Sequence, residues 1–340
     1  MQVRRVLLLL NRASGTGQGA ERIARIQKTF ADRMPAETDA RVEIIEDHPA
    51  AKTAASGFLI ESKAAAAIIV GGGGGTLRAV VEGICEGNEP LPGKDRIRLA
   101  ALRLGSGNVV AKQFGVPLDP EEALRQIGTA LQEDATAPCC VIRCDTADGC
   151  YCAVTMAGFG QFGRAPGDLV RWHRRLAGFR KLLARVMPLE RLNDVEYLLA
   201  MLTRTLGCAL LPSIAETVEV TCHNQKHRFR LFSGVLLNFH IPIIPLDPQA
   251  QIEEKKLSLY LVSLRKRLDP VLFLIAPVLL SKRALHFTIG EDDAVDLHFP
   301  DRNTIEFFLD EDPVFCSGSM KLRVAGTLAF VPGNGYKKLM

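Results

Sequence analysis

Five consecutive glycines, Gly71–Gly75, separate the apolar run Ala66–Val70 from a helical pattern that opens near Thr76. Glycine loses more conformational freedom on folding than any other residue, so such a run points to a backbone that something must approach closely. The flanks define the local structure. "AAIIV" reads as a strand buried on both faces, and Leu77, Val80, Val81 and Ile84 fall at i, i+3, i+4 and i+7 on one helical face. A strand that runs through glycines into a helix is the repeating unit of a parallel sheet, whose strands need helical crossovers.

The unit recurs along the first 137 residues. Val3–Leu10 predicts a buried strand, followed by "NRASGTGQG" and a helix with Ile23, Ile26 and Phe30 on one face. "RVEIIE" leads to an alanine-rich helix near Pro49, and "IRLAALRL" leads through "GSGN" to another. Residues 1–137 therefore read as an α/β domain with a parallel sheet. Residues 138–340 read differently. Short alternating runs such as "HRFRLFSGVLLNF", "KLSLYLVSL" and "TIEFFLD", separated by turn residues, predict a mainly antiparallel β-sandwich domain. A helical insertion over about 168–211 interrupts it, and the last strand is free to return to the first domain. At 340 residues the chain is long for one core, which agrees with two domains.

Composition narrows the setting. A net charge of +4 is too small to indicate a nucleic-acid partner. The N-terminal apolar run is too short for a signal core, and the longest apolar run, Pro270–Leu280, is well short of a bilayer span. Nine cysteines without a disulfide rhythm suit a reducing cytoplasm. Five of them, Cys139, Cys140, Cys144, Cys150 and Cys152, lack the C-x2-C spacing of a zinc site and read as a hairpin around "DTADGC".

In a parallel α/β sheet, ligands sit outside the carboxyl ends of the strands. "NRASGTGQG", "GGGGGT" and "LGSGN" each leave a strand there and open a helix, so free N–H groups and the positive helix end suit a phosphate. No G-x-x-x-x-G-K-[ST] occurs, which excludes a P-loop enzyme. "GTGQGA" (Gly15–Ala20) matches the dinucleotide fingerprint, with Glu46 and Asp47 near the end of strand two. An NAD(P)-binding oxidoreductase is the remote alternative.

Taken together, these segments resemble the diacylglycerol kinase catalytic-domain family, which includes bacterial lipid kinases and sphingosine kinases and has distant NAD kinase relatives. "NRASGTG" is similar to the family's N-P-x-S-G-x-G, Gly72–Thr76 to its G-G-D-G-T, and "RLGSGNV" to P-L-G-T-G-N-D. "PQAQIEEKKL" loosely matches P-x-A-x-x-D-D-G-x-L, and Asp310–Asp312 resembles the closing D-G-E. The resemblance implies an ATP-dependent kinase that transfers the γ-phosphate to a lipid hydroxyl, diacylglycerol-like or sphingoid-like, with ATP in an interdomain cleft and Mg2+ bridging the phosphates. It implies nucleotide binding by Asn11, Ser14, Gly15, Gly17, Gly72, Gly73, Gly74, Gly75, Thr76, Gly105, Ser106, Gly107 and Asn108. It makes Asp310 the base, with Asp312 and Glu254 as candidate metal ligands. The sequence departs from the pattern where Gly74 replaces the signature aspartate, Arg78 a frequent asparagine and Val109 an aspartate. Those losses keep a weakened or inactive nucleotide- or lipid-binding relative as the main alternative.

From Arg164 to Arg191 the sequence holds eight Lys/Arg against two acids. Leu169, Trp172, Leu176, Phe179, Leu183 and Val186 form one stripe within it. Two readings stay open: a core-packed helix with a solvated basic face, and an interfacial helix on anionic lipid. The expected partners are thus a lipid substrate and an anionic membrane, with the protein cytoplasmic and peripheral at the inner membrane face. A homodimer is compatible with the sequence.

Overall fold

The computed structural model describes residues 3–14, 19–34, 37–62, 64–86, 91–93, 96–105, 108–175, 189–239, 255–275, 284–310 and 312–336. The chain divides into two compact units, residues 1–141 with 325–340, and residues 142–324. The sequence places a boundary at Ala137; the division falls four residues later, inside a strand.

Unit 1 is a parallel sheet with helical crossovers. Its strands are β1 (Arg5–Asn11), β2 (Asp39–Ile45), β3 (Ala66–Gly72) and β4 (Ile97–Arg103). β1 lies between β2 and β3, and β4 pairs with the other edge of β3. Val6–Leu10 and all of β3 are buried, as expected for strands covered on both faces. The helices are α1 (Ala20–Arg33), α2 (His48–Glu61), α3 (Gly74–Cys85), α4 (Val109–Gln113) and α5 (Pro120–Gln132). α2 and α3 pack closely because Gly83 has no side chain: a Cβ there would lie 2.3 Å from the Lys52 carbonyl oxygen. Asp47, an acid of the dinucleotide alternative, is the N-cap of α2, and its carboxylate accepts from the Ala50 N–H at 2.8 Å. The chain end closes this unit. Phe114 stacks on Phe330 and Tyr336, and the Gly333 N–H donates to the Phe114 carbonyl.

The chain passes between the units along β5 (Ala137–Thr146) and β15 (Ser319–Phe330). Unit 2 is mostly antiparallel. It holds β6 (Gly149–Ala153), β7 (Met156–Phe159), β8 (Glu216–Cys222), β9 (Gln225–Leu237), β10 (Leu257–Ser263), β11 (Leu285–Ile289), β12 (Ala294–His298), β13 (Thr304–Leu309) and β14 (Asp312–Ser317). The long β9 pairs antiparallel with β7, β8 and β10. β5 and β6 form the cysteine-rich hairpin, with Cys139, Cys140, Cys144 and Cys152 buried and Cys150 exposed. Among the described residues no group of three or more His, Cys, Asp or Glu could hold a metal ion.

The helical insertion contains α6 (Gly160–Gly163), α7 (Ala165–Arg175) and α8 (Leu189–Leu210), and α9 (Asp269–Ile275) packs on α8. Ala165, Leu169 and Trp172 of α7 pack against Tyr197, Ala200 and Met201 of α8. The described half of the Trp172 stripe is therefore a core face. Leu176, Phe179, Leu183 and Val186 lie outside the described residues. Among the described residues no helix is long and apolar enough to cross a membrane.

Candidate active site

In unit 1 the crossovers run one way from β1 to β2 and the other way from β3 to β4, so the strand order reverses between β1 and β3. That reversal is where α/β sheets open a crevice. Asn11, the last residue of β1, ties two loops together. Its Nδ2 donates to Thr76 Oγ1 at 2.8 Å, while its Oδ1 accepts from the Ala13 N–H at 2.9 Å and shapes the turn that leads to Ser14. Gly73 and Gly105 bring the second and third loops into contact: a Cβ on Gly105 would fall 2.3 Å from the Gly73 Cα. Asn108, at φ 55°, closes the third loop by accepting from the Gly105 N–H at 2.9 Å and donating to the Gly105 carbonyl at 2.7 Å. Gly15, Gly17, Ser106 and Gly107 lie outside the described residues.

The five glycines are not one loop. Gly71 and Gly72 end β3, Gly73 is the N-cap of α3 with extended backbone, and Gly74 and Gly75 are its first helical residues. Gly72 has a packing reason of its own, since a Cβ there would lie 2.5 Å from the Thr76 side chain. No side chain caps α3, so its first-turn N–H groups and the positive end of its dipole are left for an outside acceptor. The fit to a phosphate is good. The fit to a metal is poor, because Gly74 brings no carboxylate and the first turn of α3 holds no acid.

Arg78, the second departure from the family pattern, is buried one turn into α3 and donates to Glu82 Oε1 at 3.0 Å. His48 Nε2 lies 2.8 Å from the other Glu82 oxygen. Burial works against the Glu82 charge, but the His48 hydrogen bond and the Arg78 charge outweigh it and hold its pKa below the ordinary 4.5. A carboxylate lowered in the folded state stabilises fully above its unfolded value and loses that contribution as pH falls through the folded one. Unit 1 is thus expected to weaken below about pH 4.5, and Glu82→Gln should flatten that limb of a melting-temperature profile.

In unit 2, Asp310 follows β13 at φ 48° and starts the two-residue turn into β14, since Leu309 pairs with Asp312. Its carboxylate is committed. Oδ1 accepts from the Thr155 N–H (2.7 Å), Thr155 Oγ1 (2.5 Å) and the Met156 N–H (3.2 Å), and Oδ2 accepts from the Val154 N–H (2.7 Å). Burial pushes the Asp310 pKa up, and these four donors oppose that shift. Asn238 holds the Val154–Thr155 segment from its carbonyl side, donating from Nδ2 to Val154 O at 2.7 Å and from its backbone N–H to Thr155 O at 3.0 Å. Neither Thr155 nor Asn238 is visible as a site residue in the sequence; their signal is only spatial. Asp312 is the half-buried first residue of β14, and Glu254 lies outside the described residues.

A parallel-sheet switch point with an uncapped α3 N-terminus that suits a phosphate, followed in the chain by a mostly antiparallel β unit, marks an α/β protein of two units. Residues 5–137 match the family model of the diacylglycerol kinase catalytic domain. No curated protein matches the chain in sequence. Solved structures agree on the fold. A Bacillus anthracis str. Sterne protein provisionally assigned as a diacylglycerol kinase superposes with a TM-score of 0.67 at 16% identity, over 99% of this chain and 100% of that one. A diacylglycerol kinase from the same organism gives 0.61 at 14% identity, over 99% and 100%.

Proposed function

We propose that this protein binds the triphosphate of ATP on the β1, β3 and β4 loops of unit 1 and transfers the γ-phosphoryl group to a lipid hydroxyl. The observation that carries the reading is the joining of the three loops, by the Asn11–Thr76 hydrogen bond and by the Gly73–Gly105 approach. Phosphoryl transfer asks a protein mainly for positioning and charge stabilisation, and backbone N–H groups supply both without side chains. Magnesium bound to ATP would neutralise phosphate charge, with no acid in the first turn of α3 to hold it. Asp310 is the proposed base through Oδ2, which carries one donor and keeps acceptor capacity for a hydroxyl proton. Its raised pKa makes that oxygen a better proton acceptor.

The test is incubation of the full chain with γ-labelled ATP, magnesium and a total lipid extract. Label in the lipid fraction supports transfer. The absent carboxylate at Gly74 favours a second reading, nucleotide binding without turnover, for which ATP is retained and no lipid is labelled.

Gly74→Asp separates the two. Gly74 has helical backbone at the first position of α3, so an aspartate there is unstrained and sits favourably at the positive helix end. The variant should melt slightly higher than wild type. Lipid labelling should rise about tenfold or more, the scale of a positioned catalytic group. An equally folded variant with unchanged labelling would show that the loop carboxylate is not what limits transfer.

A further inference from the structure

We infer that the outer face of α8 is the surface on which unit 2 seats against an anionic lipid bilayer. The inner side of α8 is fully engaged. Ala200 and Met201 pack on α7, and Cys208 packs with Phe232 and Val262. The charged side chains described on α8 also reach α7. Glu196 lies 2.8 Å from His173, and Arg204 donates to Asp168 at 2.5 and 2.8 Å.

The outer side reverses the usual pattern. Val195, Leu198, Leu199, Leu202, Leu206 and Leu210 are exposed by 37–78%, and at helical spacing they share one arc of about 120°. Thr203 is the one polar residue exposed beside them, and between Val195 and Leu210 no charge lies on that arc. A helix facing water carries its charges there. Leu211, just past the helix end, is also exposed, and α9, which packs on α8, exposes Leu272. An uncharged apolar stripe over four helical turns exceeds what scattered surface leucines account for.

Charge selects the occupant. α7, which packs on α8, exposes Arg171, Arg174 and Arg175. A two-fold pairing through α8 would bring two such basic helices toward one interface, where they repel. Anionic headgroups complement them, and the leucines reach the acyl boundary below. Since no described helix can span a bilayer, α8 lies along the surface. This places membrane contact on α8 and removes it from the described Trp172 stripe, which is internal. The inference rests on the lipid reading for its purpose, but its test needs no catalysis.

The full chain, without ATP, is floated with vesicles of about one-third phosphatidylglycerol in phosphatidylcholine and with pure phosphatidylcholine vesicles. Wild type should bind the anionic vesicles. Leu198→Gln/Leu206→Gln/Leu210→Gln, at exposed positions that leave packing intact, should bind them at least tenfold more weakly with an unchanged melting temperature. Equal binding by the two proteins, or no binding by wild type, overturns the inference. So does a wild-type dimer in lipid-free solution that the triple variant turns into a monomer, because the face would then be a self-interface. Labelling of a short-chain, water-soluble diacylglycerol keeps the two claims apart. It should be equal in wild type and variant, and its absence from both beside a clear vesicle difference leaves the docking face standing while the kinase reading falls.

Discussion

Asp310→Asn is expected to lower the melting temperature of unit 2 by about 6–12 °C and to abolish lipid labelling. The carboxylate takes hydrogen bonds from four donors of Val154–Met156 at a site 3% exposed. An asparagine keeps one acceptor oxygen and turns an NH2 toward another N–H. That leaves a buried donor unsatisfied and costs about 3 kcal/mol, since bonds to charged groups are worth roughly 1.5–3 kcal/mol each. For a unit of this size each kcal/mol shifts melting by about 2–4 °C. Loss of a base removes a further factor of roughly 10²–10⁴ in rate. Thr155→Val is the control: it deletes one hydroxyl bond and should cost about 1 kcal/mol while labelling survives. If Asp310→Asn melts lower yet labels lipid at the wild-type rate when folded, Asp310 holds the turn and the base is another carboxylate.

Gly105→Ala should cost about 2 kcal/mol and weaken ATP binding at least tenfold. The new Cβ would stand 2.3 Å from the Gly73 Cα and 3.1 Å from its nitrogen. Both contacts are backbone, so neither yields by a rotamer change, and overpacking of this kind costs about 1–3 kcal/mol. The loops must part, which moves the third loop away from the first turn of α3. The reverse substitution is a sharp contrast. A Cβ on Gly73 meets the Gly105 Cα at 3.6 Å, an ordinary contact, and Gly73 has extended backbone that alanine adopts. Gly73→Ala should therefore stay within about 0.5 kcal/mol of wild type. Denaturant titration of both variants checks the difference, and equal stabilities would show that the two loops do not meet as described.

The strand–helix alternation of unit 1 is legible because buried parallel strands such as β3 are continuous apolar runs and helices such as α1 keep a strict stripe. The glycines mislead in detail. Gly72 is needed for contact with Thr76, one turn further on, and Gly105 for contact with Gly73, a partner that only the fold brings near, so a packing glycine and a phosphate glycine look alike in sequence. Asp47 misleads for the same reason, being a helix cap that a fingerprint reads as a ribose ligand. Arg98 sits in a strand pattern and gives no sign that it is 1% exposed and paired to Asp134 at 2.5 Å. The α7 stripe is visible by its period, but periodicity cannot say what covers it. The bare face of α8 emerges only once Ala200 and Met201 are seen turned inward.

The central claim is that the three loops of unit 1 form one triphosphate site, and calorimetric titration of the full chain with ATP and magnesium tests it most directly. The account predicts binding of one ATP per chain, weakened at least tenfold in Gly105→Ala and unchanged in the α8 triple-glutamine variant. Unaltered affinity in Gly105→Ala, or binding of NAD in place of ATP, would contradict it.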